Sequence, residues 1–211
     1  MTPLKWRLLG FDARENEQDG RKSPIPLDVR EVMLLRPEIE LPFSVDGNIW
    51  PSVLGMNDGP QIEDKGLWLS LARLQQSLRE RGRTAIAIAV ELLVPSNITA
   101  LGLPYSLIDS NQDPPTVPEN SICLGFDVAD AGFWSGLSNC GYSEAERAEL
   151  RPKWQGRIND FGLLKSEQDA LEFRDLSDAR VPEHAPFWVY KLHRLAEPDG
   201  LGQRRDGADH V

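Results

Sequence analysis

Residues 84–94, TAIAIAVELLV, constrain the fold more than any other part of the chain. In an extended run one side carries Ala85, Ala87 and Ala89, and the other carries Ile86, Ile88, Val90 and Leu92. A strand that is apolar on both sides belongs in the middle of a sheet covered on both sides. Its alanine side is small, so a helix can approach it closely. The preceding segment supplies that helix. Over residues 62–81, Leu67, Leu71, Leu74 and Leu78 share one face at helical spacing. Glu63 and Asp64 favour its start, Arg79 and Arg81 its end, and Gly82 is placed to stop it.

The other elements follow from pattern and punctuation. Residues 4–11, 29–35, 121–128 and 186–195 read as further strands. Residues 12–28 read as an exposed loop, and Pro37, Pro42 and Pro51 break up the region beyond 35. Five prolines between 95 and 118 mark a long loop, a kind that is usually functional or flexible. Ser143 with Glu146 is a capping box, and its helix runs towards Trp154 with Pro152 limiting it. Ser166 opens a further helix through about residue 177, with Ala170, Phe173 and Leu176 on its apolar face. This order predicts a single α+β domain over residues 1–196. Its sheet, mixed or mostly antiparallel, has about five or six strands covered by two or three helices. Residues 197–211 are rich in Gly and Asp and read as a disordered tail. Residues 9–13, LGFDA, echo residues 124–128, LGFDV. Five positions with unmatched flanks are read as coincidence.

Charge narrows the function classes. A net charge of −10 argues against nucleic-acid binding and against docking on anionic membranes, both of which need clustered Lys and Arg. No stretch approaches the roughly 18 apolar residues of a membrane span, and the N-terminus lacks the pattern of an export signal. A cytoplasmic address with reduced thiols at Cys123 and Cys140 is therefore expected. Cys123, inside an apolar run, reads as structural.

Residues 121–143 hold the chemistry candidates. Asp127 and Asp130 are spaced D-x-x-D at a strand end, where two carboxylates can share a metal or divide acid and base roles. The plainer reading is that Asp127 sits in a turn and Asp130 caps a short helical turn over 131–137. Cys140 precedes a helix start, where the dipole can lower a thiol pKa. His184 or His193 would be its base, while the plainer reading makes Cys140 a small buried hydrophobe. A plainer reading puts His193 on a solvated strand face and His184 in a pinned turn. No phosphate-binding loop, dinucleotide fingerprint, nucleophile elbow or zinc-protease motif is present, and no cofactor or metal is implied. Trp6, Trp68 and Trp154 read as core. Trp50 and Trp134 lie in loops, where tryptophans beside acidic residues serve as partner anchors; the plainer reading is that they close the ends of the core.

Two functions are expected from this. The first is protein binding by an acidic surface, with Asp109, Asp113, Asp127, Asp130 and Trp134 in contact. By profile, a small acidic protein without a cofactor motif looks like an immunity protein that neutralises a basic toxin. The alternative is a small hydrolase or transferase with a dispersed site around Asp127, Asp130, Cys140 and His184.

Overall fold

A computed structural model describes residues 3–14, 67, 68, 70–80, 86–96, 116–130, 135–137 and 143–196. Four strands form one antiparallel sheet: β1 (Leu4–Arg14), β2 (Ile86–Pro95), β3 (Ile122–Ala129) and β4 (Trp188–Arg194). Their order across the sheet is β1-β2-β4-β3. Three helices accompany them: α1 (Leu71–Glu80), α2 (Glu144–Trp154) and α3 (Glu167–Arg180). The α+β class is as expected, but the sheet has four strands among the described residues, not five or six. The strand expected over 29–35 lies outside them, as do residues 197–211.

β2 is interior, paired with β1 on one edge and β4 on the other. Ile88 is 1% exposed and Ala89 fully buried, so both faces of the strand are covered. The expected helix does approach the alanine side. Leu74 and Leu78 of α1 pack with Phe11, Ala13, Ala87 and Ala89. α3 covers the other half of that face, where Phe173 packs with Val128, Val189 and the α2 residue Trp154. Trp154 meets Phe173 edge-on, with ring centroids 4.9 Å apart. The opposite face buries Ile88, Val90, Leu92, Tyr190 and Leu192, with Leu67 and Leu163 in the same cluster.

Helix ends follow local chemistry. The Ser143 capping box forms, with Ser143 N donating to Glu146 Oε2 at 2.9 Å. Ser166 Oγ accepts from Asp169 N at 3.1 Å and opens α3, which continues to Arg180. α1 starts later than its leucine spacing implies. Leu67 and Trp68 are extended, because Trp68 exchanges two backbone bonds with Phe11, at 2.7 and 2.8 Å.

Both outer strands carry a register irregularity, between Leu8 and Gly10 in β1 and between Cys123 and Gly125 in β3. The LGFDA and LGFDV segments thus occupy matching places in the sheet. The β3 irregularity also corrects the reading of Cys123. Leu124 is turned inward, while Cys123 and Ile122 at the open start of the strand are exposed.

Candidate functional site

The end of β3 gathers the polar residues that the sequence singled out. Asp127 is fully buried within the strand, opposite Tyr190. Its Oδ1 accepts from Val128 N at 2.8 Å and from Ser135 Oγ at 2.6 Å. Ser135 Oγ in turn accepts from Leu137 N at 3.2 Å, and Gly136 N donates to Val128 O at 2.7 Å. These bonds staple residues 135–137 back onto the strand. A carboxylate in low dielectric needs such donors, since an unsatisfied buried acceptor is costly. Asp127 is therefore an interior strand residue holding a turn, rather than a turn residue itself.

Asp130 does something different. It is 8% exposed, and its Oδ2 lies 3.1 Å from His184 Nδ1. His184 is itself 41% exposed by side chain, so its ring is held at Nδ1 and is partly open to solvent. Two elements fix this pairing. Asp130 follows the last residue of β3, where Tyr190 OH donates to its backbone carbonyl at 3.4 Å. His184 sits in the turn between α3 and β4, where its N donates to Val181 O at 3.0 Å. Downstream, Phe187 N donates to Asp178 Oδ1 at 2.7 Å. The turn is thus tied to the sheet and to α3. The bonds of Asp127 run to Val128 and Ser135, and the contact of Asp130 runs to His184. Among the described residues, no three His, Cys, Asp or Glu come together to hold a metal ion. Asp109, Asp113, Trp134 and Cys140 lie outside the described residues.

A second polar cluster crosses the helix-covered face of the sheet. His193 is 7% exposed, and its Nε2 lies 2.7 Å from Glu91 Oε2. Lys191 Nζ lies 3.5 Å from the same oxygen and 5.2 Å from the centre of the Trp6 ring. Burial pushes the Glu91 carboxyl up, but the His193 hydrogen bond and the Lys191 charge outweigh it and hold it below its ordinary value. His193 is thus a buried, bonded residue, not a solvated one. The signal that could have found it is Glu91, the one charged residue in the apolar run 84–94, which needs a partner on the next strand.

On and between α2 and α3, three acids are paired with bases. Lys153 pairs with Glu172 at 2.8 Å, Arg157 with Asp169 at 3.3 Å and with Glu172, and Arg180 with Glu146 at 2.6 Å. Acids and bases are nearly balanced over the described residues, and most of the acid excess falls elsewhere in the chain. No described helix is long and apolar enough to cross a membrane. No protein-family model matches the chain, and no match was found among curated proteins or solved structures.

Proposed function

We propose that this chain is a small hydrolase or transferase in which His184, oriented by Asp130, acts as general acid and base. The observation that carries this reading is the 3.1 Å contact between a nearly buried carboxylate and a half-exposed imidazole. An ionised carboxylate only accepts, so the shared proton belongs on His184 Nδ1. That leaves Nε2 as the base. It would take a proton from an attacking water or hydroxyl, and Asp130 would stabilise the imidazolium that forms. The Asp127–Ser135 bonds fix the backbone on which Asp130 is mounted. Two measurements test this. Nitrogen-15 NMR of the neutral protein should find His184 as the Nδ1–H tautomer, and the commoner Nε2–H form would end the proposal. On a panel of ester, phosphoester and amide substrates, His184→Gln should lose about 10²–10⁴-fold of any turnover that wild type shows.

The acid excess favours a second reading, an acidic partner-binding protein of the immunity type. It concerns Asp109, Asp113 and Trp134 rather than Asp127, whose carboxylate is turned inward. On that reading, association with a basic partner should slow as salt rises through the physiological range, and a salt-independent rate would count against it.

A further inference from the structure

We infer that the domain is a tandem duplication: two copies of one strand–helix–strand unit, the second also carrying α2 ahead of its helix α3, related by a pseudo-two-fold axis between Val90 and Leu192. The first support is geometric. Gly10 pairs with Val90, Gly125 pairs with Leu192, and Val90 and Leu192 pair with each other. The register of the whole sheet is therefore unchanged when the halves are exchanged. The irregularity before Gly10 falls on the same position as the one before Gly125. Past each glycine, the phenylalanine exchanges two backbone bonds with an inserted segment, Phe11 with Trp68 and Phe126 with Leu164. A Cβ on Gly10 would meet Trp68 O at 2.8 Å and Leu67 Cβ at 3.1 Å. One on Gly125 would meet Leu164 O at 2.9 Å and Leu163 Cβ at 2.8 Å. The next residue but one is an aspartate whose Oδ1 accepts from the following N–H, at 2.8 Å in both Asp12 and Asp127.

The second support is in the chain itself. Residues 62–70 read IEDKGLWLS and residues 158–166 read INDFGLLKS. Without a gap they share Ile62 with Ile158, Asp64 with Asp160, Gly66 with Gly162, Leu67 with Leu163, and Ser70 with Ser166. The alignment places Trp68 on Leu164, the same pair that the backbone bridges select. It also places Ser70 on Ser166, and both serines open a helix. Arg73 N approaches Ser70 Oγ at 3.5 Å, and Asp169 N donates to Ser166 Oγ at 3.1 Å. Leu74 and Ala170, four residues on, are both fully buried.

A duplication has a physical rationale. One unit alone is a two-stranded ribbon with a helix, which is marginal in water, and it leaves the inner edge of β2 or β4 unpaired. Joining two copies through those edges closes both at once, as an isologous dimer interface does. The comparison also sets apart what is not repeated. His184 lies in the connection between capping serine and axis residue, which is longer in the second copy (Ser166 to Leu192) than in the first (Ser70 to Val90). The Asp130–His184 pair is therefore an elaboration of the second copy.

The full-length chain tests this directly. In one variant residues 62–70 carry the sequence of 158–166, and in a second the same nine residues are scrambled. Interchangeable copies predict cooperative unfolding of the first variant, with less than half the fall in Tm that the scramble suffers. A fall as large as the scramble's would overturn the inference. Hydrogen exchange on the unaltered protein gives an independent reading. The amides of Phe11 and Trp68 should be protected to within about tenfold of those of Phe126 and Leu164, the spread expected within one cooperative unit. Free exchange at the first pair with protection at the second would also overturn it.

Discussion

Gly125→Ala should be among the more damaging small substitutions in this protein. Gly125 has φ of 140°, a backbone conformation that L side chains rarely adopt. Holding alanine there costs about 1–3 kcal/mol of strain. The new methyl would also lie 2.8 Å from Asn159 Nδ2, 2.8 Å from Leu163 Cβ and 2.9 Å from Leu164 O. Asn159 Nδ2 donates to Leu124 O at 2.7 Å, and Leu164 O accepts from Phe126 N at 2.9 Å. Neither neighbour can retreat without loosening a bond that holds the edge of β3. Overpacking of this kind costs about 1–3 kcal/mol more. The sum, about 2–6 kcal/mol, is a large part of a typical stability of about 5–15 kcal/mol. Gly10→Ala is the internal control. It meets Trp68 O equally closely, but its φ lies outside the strained region, so only the overpacking cost applies. Urea unfolding followed by tryptophan fluorescence would compare the two at matched m-values. Equal losses, or a Gly125→Ala loss under about 0.5 kcal/mol, would refute the geometry assigned to β3.

Two other predictions follow from corrected expectations. Cys123 is exposed, so iodoacetamide should alkylate it in the folded protein without denaturant, and a requirement for denaturant would contradict its placement. Glu91 is held below its ordinary value of 4.5, so the folded state binds fewer protons there than the unfolded state. Its contribution is complete above pH 4.5 and is lost as pH falls through the depressed native value. Glu91→Gln should flatten that acid limb of a stability–pH curve, and an unchanged limb would show that Glu91 does not contribute to it.

Local rules settled much of this protein. The alternation in residues 84–94 places β2 inside the sheet, and Ser143 and Ser166 mark two helix starts, because capping is decided within one turn of chain. The α+β class also follows, since strand and helix periods are local. Tertiary structure decided the rest. α1 begins at Leu71 because Trp68 is drawn into backbone bonds with a strand far away in sequence. His193 is buried because β4 lies beside β2, a pairing that no local pattern encodes. Cys123 faces solvent because the irregularity in β3 turns Leu124 inward in its place. Asp130 and His184 are separated along the chain by α2 and α3, and only the return of the chain from α3 towards β4 brings them together. The repeated halves were written in the sequence throughout. Their matching pieces are short and unevenly spaced, so their likeness carries weight only once the sheet places them in equivalent positions.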